Sequence, residues 1–235
     1  FELQKSCKLI HSFLNFYLPD VRMRWSEVKR PIVCLAPMDG VTNTAYRQIV
    51  RRLNPEVILF SEFTSVDGLV RSERVRTKLD YDPSEQPLFM QLFGNNPQMF
   101  AEAAKMVEQR GMMGVDINMG CPAKKIVHSQ HGSALMKDPD TACRIIESIR
   151  NNCGLQVSVK TRLGWKNEDG LIDFCRSLQS AGTSMITIHG RTYSQAFKGV
   201  ANWEPIYELK NHLQIPLLGN GAVSYTHLTL PTTCS

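Results

Sequence analysis

One thiol lies in the segment of the chain that is best suited to chemistry, residues 116–122, whose sequence is DINMGCP. The segment is expected to begin as the end of a short buried strand that finishes at Asn118. Gly120 and Pro122 then favour a sharp turn, because glycine permits unusual φ angles and proline fixes its own. Such a turn would hold a thiol at the strand end, so we predict that Cys121 is a nucleophile or a proton donor. A buried structural cysteine is the alternative, since most cysteines are of that kind.

The elements that would position this thiol form a regular alternation from residue 31 onward. Short apolar runs predict strands at 32–36, 57–60, 88–92, 115–118, 156–161, 185–189 and 216–219. Amphipathic runs predict helices at 44–53, 69–78, 97–110, 141–151, 170–181 and 203–213. Short connections between strand and helix indicate parallel strands with right-handed crossovers. We therefore predict an α/β fold, a TIM (βα)8-type barrel that is incomplete, with about seven strands. An open doubly wound sheet is the alternative.

The composition excludes several classes of protein. The chain has 235 residues, of which 43% are hydrophobic and 21% charged, which suits a globular α/β domain with a substantial core. The net charge of +5 permits a polyanionic partner without requiring one. Seven cysteines without a Cys-x-x-Cys pair indicate reduced thiols in a cytoplasm, and neither a disulfide framework nor a metal site. No apolar run is long enough to span a bilayer, so no membrane partner is expected.

Polar or small residues follow each predicted strand, and in a barrel these ends converge on one mouth. The carboxamides of Gln91 and Asn118 could contact the donor and acceptor edges of a ring. Lys160 could stabilise negative charge on such a ring, and the glycines of 219–221 would let backbone N–H groups approach a phosphate. Each residue has a structural alternative, such as a hydrogen-bonded core histidine at His189. Together they predict a site for a planar, polar, anionic ligand.

Six sequence motifs occur in an order that resembles the tRNA-dihydrouridine synthase family over roughly residues 24–222. The run CPAKK at 121–125 and the run GSALM at 132–136 most resemble the bacterial DusB branch. No Gly-x-Gly-x-x-Gly opens a helix, so a Rossmann dinucleotide site is not indicated. The six motifs are APMDGVT at 36–42, QLFG at 91–94, DINMGCP at 116–122, VKTR at 159–162, HGRT at 189–192 and GNG at 219–221.

The resemblance implies that residues 23–223 form an FMN-binding TIM barrel that reduces uridine in tRNA to 5,6-dihydrouridine, with NADPH as reductant. Cys121 would be the catalytic acid that protonates C5 of the uracil while the flavin delivers hydride to C6. The protein would be cytoplasmic, with tRNA as its partner, and a monomer when full length. The implied cofactor-binding residues are Pro37, Met38, Gln91, Lys160, His189, Asn220 and Gly221. The implied substrate-binding residues are Asn118, Arg162 and Arg191.

Two basic clusters could hold RNA phosphates, one within 71–78 and the other at Lys124 and Lys125, although a solvated face is the alternative for each. Two other functions stay open. One is a flavin barrel that acts on a free pyrimidine, such as a dihydroorotate dehydrogenase, although the basic residues argue against it. The other is an inactive RNA-binding fragment, which a colourless purified protein would favour.

Two features depart from the family pattern, and both ends of the chain look foreign to the alternation of strands and helices. Ala222 stands where the family has an aspartate after its Gly-Asn-Gly. The family's eighth strand and C-terminal helical RNA-binding domain have no counterpart, so the sequence is interpreted as C-terminally truncated. Residues 224–235 resemble a non-native tail and are not expected to form an eighth strand. Residues 1–22 are either a non-native extension or a native N-terminal helix.

Overall fold

A parallel sheet is the centre of the computed structural model, which describes Trp25 and residues 28–222. Seven strands follow one another in the order β1-β2-β4-β5-β6-β7-β8, and a short strand, β3, pairs with β4. Every pairing is parallel. This order confirms the predicted α/β, TIM-type arrangement with about seven strands. The strands are β1 Cys34–Leu35, β2 Ile58–Phe60, β3 Thr64–Ser65, β4 Leu88–Phe93, β5 Gly114–Asn118, β6 Gln156–Arg162, β7 Met185–His189 and β8 Leu217–Asn220.

Helices connect the strands, and proline and capping residues define the starts of the two longest. Asn96 and Asp138 accept hydrogen bonds from backbone N–H groups of the first turn, and Pro97 and Pro139 take the first helical position. The helices are α1 Thr44–Leu53, α2 Val66–Arg71, α3 Glu73–Arg76, α4 Pro97–Gln109, α5 Lys124–His128, α6 Pro139–Asn152, α7 Leu171–Ser180 and α8 Glu204–Lys210. Short 3-10 helices cover Thr77–Leu79, Pro83–Glu85 and Gly132–Lys137.

The helix predicted at 69–78 is wrong as a single element. Ser72 adopts an extended conformation, with φ of −131° and ψ of 117°, and it separates α2 from α3. The polar residues that follow Ser72 leave no continuous apolar stripe to hold one long helix against the sheet, and none of the residues of α3 is buried. The segment therefore folds as three short helical pieces, α2, α3 and the 3-10 helix Thr77–Leu79.

The central strands are the most buried part of the sheet. All residues of β5 are buried, as are five of the six residues of β4, which is the expected environment of parallel strands covered on both faces. Trp25 stacks on Phe89 with ring centroids 5.6 Å apart, which closes the amino-terminal end of this core. β1 and β8 lie at the two ends of the strand order and are only half-buried. The middle strands therefore provide the rigid support for any site at their carboxyl ends.

The two predictions that concern the chain ends, for residues 1–22 and 224–235, lie outside the described residues. Within the described part of the chain, no helix is long and apolar enough to cross a membrane.

Candidate active site at the strand ends

The register of the parallel strands brings the predicted site residues into neighbouring positions. Asn118 of β5 pairs with Lys160 of β6. Two residues after Lys160, Arg162 pairs with His189 of β7. His189 in turn pairs with Asn220 of β8. The carboxyl ends of four successive strands therefore present one contiguous polar surface.

A chain of buried hydrogen bonds crosses the sheet beneath this surface. The carboxylate of Asp116 accepts from the Ser158 hydroxyl at 2.6 Å and from the Gln91 amide nitrogen at 2.6 Å. The Gln91 amide oxygen accepts from the amide nitrogen of Asn118 at 3.0 Å. All four side chains are buried, with Asn118 the most exposed at 8%. We call these residues, together with Lys160 and Asn220, the strand-end network.

The buried carboxylate determines which way the two amides face. A carboxylate only accepts hydrogen bonds, so Gln91 must turn its NH2 group toward Asp116 and its oxygen toward Asn118. Asn118 must then direct its own oxygen away from Gln91. That oxygen accepts from the backbone N–H groups of Gly120 at 3.1 Å and Cys121 at 2.9 Å. Asp116 therefore sets the direction of every bond in this hydrogen-bond chain, and the last of these bonds fix the position of the Cys121 turn.

Lys160 and Asp116 form the electrostatic centre of the network. Lys160 donates to Asn220 Oδ1 at 2.9 Å. Burial lowers the pKa of Lys160 to about 8, although the negative charge of Asp116 opposes this effect. Burial likewise raises the pKa of Asp116 to about 6, against the hydrogen bonds from Ser158 and Gln91 and the charge of Lys160. At neutral pH both groups are therefore charged and support each other.

Arg162 is buried and connects the loop after β5 to the loop after β7. Its Nε donates to the carbonyl oxygen of Gly120 at 2.7 Å. Its Nη1 donates to the carbonyl oxygens of Thr192 at 3.1 Å and Ala196 at 2.8 Å. Burial lowers the pKa of Arg162, and the nearby Cys121 opposes the shift. The guanidinium therefore positions the loop of the thiol while adding positive charge beside it.

His189 and Arg191 continue the polar surface at the end of β7. Burial, followed by the charges of Arg162, Lys160 and Arg191, lowers the pKa of His189 to about 4, so its ring is neutral at physiological pH. Arg191 donates to the carbonyl oxygen of Gly199 through Nε at 3.2 Å and Nη2 at 2.8 Å. Three cations lie near this histidine, and Asp116 is the one acidic group of the strand-end network, which makes the mouth attractive to an anion.

Cys121 is a free, half-buried thiol on a tightly packed turn. Its carbonyl oxygen accepts from Ser133 N at 3.2 Å. Gly132 has a φ of +59°, and a Cβ there would meet the oxygen and Cβ of Cys121 at 3.1 and 3.3 Å. Glycine is required at this position both for its backbone conformation and for the close approach. The thiol is therefore held between a hydrogen-bonded turn and the segment that follows α5.

The remaining predicted cofactor residues lie on the half-buried end strands. Pro37 is half-buried and Met38 is 39% exposed, after β1, and the Met38 carbonyl accepts from the backbone N–H and the hydroxyl of Thr42. Gly221 follows Asn220 with a φ of +149°, and a Cβ there would lie 2.9 Å from the Cβ of Ala201. Met38 therefore offers an exposed apolar surface at one end of the sheet, and the packing against Ala201 excludes a side chain at Gly221 at the other end.

The basic cluster within 71–78 has local partners. Arg76 donates to the carbonyl oxygens of Leu69 and Val70, at 3.0 and 2.6 Å. Arg71 lies 3.6 Å from Asp67, and Lys78 donates to a carboxylate oxygen of Glu62 at 3.3 Å. These three side chains are therefore engaged within the protein, which argues against RNA binding by much of this cluster. Lys124 and Lys125, in contrast, are exposed at the start of α5.

Two members of the strand-end network, Asp116 and Ser158, were not predicted from the sequence as site residues. The two-residue period of strands could have identified them. Asp116 lies two positions before Asn118, and Ser158 lies two positions before Lys160. Residues at that spacing point to the same face of a strand. A polar residue at that spacing inside a buried strand needs a partner, and the site provides it.

Comparison with known proteins agrees with this geometry. The family model for dihydrouridine synthase matches residues 34–230. The chain belongs to the dihydrouridine synthase family. The match includes every strand of the sheet and every predicted site residue, from Pro37 to Gly221.

Several curated relatives are similar over most of this chain. It is 38% identical over 192 residues to the probable tRNA-dihydrouridine synthase 1 of Synechocystis sp., which covers 81% of the chain and 54% of the relative. It is 38% identical over 197 residues to the probable tRNA-dihydrouridine synthase of Rhodobacter capsulatus, covering 83% and 60%. It is 35% identical over 191 residues to tRNA-dihydrouridine synthase B of Pseudomonas aeruginosa, covering 80% and 57%. The chain therefore spans a little over half the length of these relatives, and the resemblance to the DusB branch is confirmed.

Proposed function

We propose that this chain carries the catalytic barrel of a flavin-dependent tRNA-dihydrouridine synthase. The observation that supports this most strongly is the position of Cys121. Its half-buried thiol lies on a turn whose N–H groups are fixed by Asn118, beside the buried cation Arg162. A proton donor needs such a defined position relative to its substrate. The family membership and the names of the relatives support the same reaction and the same RNA substrate.

The residues around the mouth fit FMN as the cofactor. Met38 and Pro37 provide an exposed apolar surface for a flat ring. Lys160 is half-buried and its Nζ donates to Asn220, and we place its positive charge at the electron-rich edge of the flavin. Gly221 keeps a side chain out of the turn after β8, where we place the phosphate of the cofactor. Gln91 and His189 complete the proposed cofactor site, Gln91 from within the network and His189 as a neutral imidazole.

When bound, the flavin would supply a hydride to C6 of the target uracil, and NADPH would restore it. The protein would supply the proton and the geometry. The Cys121 thiol would donate its proton to C5, so that the uracil gains one hydride and one proton across its 5,6 double bond. Arg162 and Asn118 would hold the loop of the thiol, and Arg191 would extend the positive surface toward the substrate. The uridine has to leave its stack to reach this mouth.

The substrate partner in this proposal is tRNA, and the compartment is the cytoplasm, where tRNA is processed. The positive mouth and the exposed lysines of α5 suit an RNA better than a free pyrimidine such as orotate. We further propose that the full-length protein is a monomer.

The test is to incubate the purified 235-residue chain with FMN, NADPH and an unmodified tRNA transcript, and to analyse the nucleosides by mass spectrometry. We expect a flavin absorption spectrum and a product heavier than uridine by two hydrogen atoms. Reduction of free uracil derivatives at the same rate, without reaction on tRNA, would favour the free-pyrimidine alternative. A colourless protein that binds tRNA without reducing it would contradict the proposal and favour an inactive RNA-binding domain.

A further inference from the structure

A second concave surface lies beside the Cys121 turn. It is a cleft of about 420 Å³, which is within the range of ligand sites. One wall is formed by α5 and the 3-10 helix that follows it, and the other by Trp165 and Tyr193 from the loops after β6 and β7. We call it the aromatic cleft. None of its residues is among those proposed above for the cofactor, the proton transfer or the target uracil.

The cleft combines stacked rings with positive charge. The ring centroids of Trp165 and Tyr193 are 3.8 Å apart, with an angle of 18° between the ring planes. The Lys137 ammonium lies over the Trp165 ring, 4.3 Å from its centroid. Lys124 and His128 also line the cleft and are exposed. Among the described residues that line it, none is acidic.

Carboxylates that follow the lining residues in the sequence have other partners. Asp138 caps α6, where its Oδ1 accepts from the backbone N–H of Thr141 at 3.0 Å. Asp169 accepts from the amide nitrogen of Asn167 at 2.5 Å. Neither carboxylate lines the cleft, and the ion pairs of the described residues do not involve Lys124 or Lys137, so an anion can approach these two lysines.

Both walls of the cleft are fixed to the loop that carries the thiol. Ser133, beside the lining residue Ala134, donates its backbone N–H to the Cys121 carbonyl. On the other wall, Tyr193 N donates to the Gly164 carbonyl at 2.9 Å. The neighbouring Arg162 bonds both to Gly120 and to Thr192. The cleft and the reacting thiol are consequently parts of one rigid assembly.

Aromatic rings next to lysines are the combination that binds single-stranded nucleic acid, because bases stack on the rings and phosphates pair with the cations. From this arrangement we infer that the aromatic cleft binds a nucleotide of the RNA strand next to the reacting uridine. Tyr193 and Lys137 already cover the two faces of Trp165, so the base stacks on Tyr193. Its phosphates lie near Lys124 and Lys137. Stacking tolerates any base, so the cleft would hold the strand without selecting a sequence. The inference rests on the proposed function, since it takes tRNA as the substrate.

A nucleotide could also come from the reductant, whose adenosine phosphates have the same chemistry. We assign the cleft to RNA because its lysines are exposed and its walls are tied to the proton donor rather than to the proposed flavin platform at Met38. The experiment therefore measures both ligands. An effect on NADPH in place of tRNA would overturn the assignment.

The test compares variants of the flavin-loaded chain in binding a fluorescently labelled, unmodified tRNA transcript, measured by anisotropy. Tyr193→Ala should raise Kd roughly tenfold, whereas Tyr193→Phe, which keeps the ring, should bind as the original chain does. The double variant Lys124→Gln/Lys137→Gln should also raise Kd about tenfold. Both lysines are exposed, so these changes should not disturb folding. Lys105→Gln, on the exposed face of α4, is the matched control and should have no effect.

The possible results separate this inference from the proposed function. Unchanged tRNA affinity in Tyr193→Ala and in the double lysine variant would overturn the inference, even if dihydrouridine forms normally. A weakened affinity for NADPH in the flavin-reduction assay, with tRNA binding unchanged, would also overturn it. Conversely, the expected losses of tRNA affinity in a chain that forms no dihydrouridine would support the cleft and contradict the proposed reaction.

Discussion

The strand-end network and the aromatic cleft both adjoin the Cys121 turn, yet they are built in opposite ways. In the network, Asp116 and Gln91 are each 1% exposed, and each donor described there has an acceptor. In the cleft, Lys124 and Lys137 are exposed and reach toward solvent. The difference lies in how much water surrounds each set of polar groups.

The exposure of the polar groups to water determines what each region can contribute to function. In the low-dielectric network, hydrogen bonds hold the amides in one orientation, and charges interact strongly. Such a region can fix a proton donor and support charge during a reaction. In the cleft, salt and water screen the cations, so they attract an anionic polymer without fixing it rigidly. We therefore expect rate and stability to depend on the network and affinity for RNA to depend on the cleft.

The largest effect should follow from Cys121→Ala, which removes the proposed proton donor. Loss of one general acid lowers a rate by ~10²–10⁴. The rate of dihydrouridine formation should fall by that factor, while the flavin spectrum and tRNA affinity stay the same. The measurement is single-turnover nucleoside analysis. Cys143→Ala, which removes another half-buried free thiol, is the control. A Cys121→Ala variant with the original rate would contradict the assignment.

The next largest effect should come from Asp116→Ala, because it leaves the buried donors of Gln91 and Ser158 without an acceptor. Each buried unsatisfied group costs about 1–3 kcal/mol, so the free energy of unfolding should fall by roughly 2–6 kcal/mol. Urea denaturation measures this change. Asp116→Asn is the matched control. Its oxygen can still accept from Gln91, and its nitrogen can donate to the Ser158 hydroxyl, so the loss should be much smaller. Equal losses in the two variants would show that the hydrogen bonds are not the cause.

The sequence predicted the sheet well because its signals are local. Apolar runs and the capping residues Asn96 and Asp138 each act within a few positions, and the strand order followed from the alternation. The break at Ser72 was missed, because the preference of one serine for an extended conformation is weak unless tertiary packing decides it. The same distinction applies to the site residues.

Residues at strand ends could be predicted because a parallel barrel brings those ends together. Asn118, Lys160 and Asn220 do lie in neighbouring register positions. The role of Asp116 could not be predicted, since it depends on hydrogen bonds to side chains 25 and 42 positions away. The aromatic cleft likewise depends on Lys137, Trp165 and Tyr193, which come from a 3-10 helix and two separate loops. Assignments of Cys121 and the cofactor residues stay predictions until tested.

A pH-dependent effect should distinguish the charge of Asp116 from its hydrogen bonds. Its pKa is about 6 in the folded chain, against an ordinary value of 3.8. Between these values the folded state keeps a proton that the unfolded state has lost, so stability falls as pH rises from about 4 to 6. A shift of this size corresponds to about 3 kcal/mol. Urea denaturation at several pH values should show this loss in the original chain and its absence in Asp116→Asn. Parallel stability profiles for the two proteins would contradict the raised pKa.

The smallest effect, and the sharpest test of the contrast between the regions, is the response of tRNA binding to salt. Each phosphate contact adds about 0.7–0.9 to the slope of log Kd against log salt concentration. Lys124→Gln should therefore reduce the slope by nearly one unit, with only a several-fold rise in Kd at moderate salt. Asp116→Asn should leave the slope unchanged, because Asp116 is buried away from the RNA. Anisotropy titrations between low and moderate salt measure both slopes. If Asp116→Asn lowered the slope as much as Lys124→Gln, then the buried network would take part in RNA attraction. The assignment of RNA affinity to the cleft alone would then be wrong.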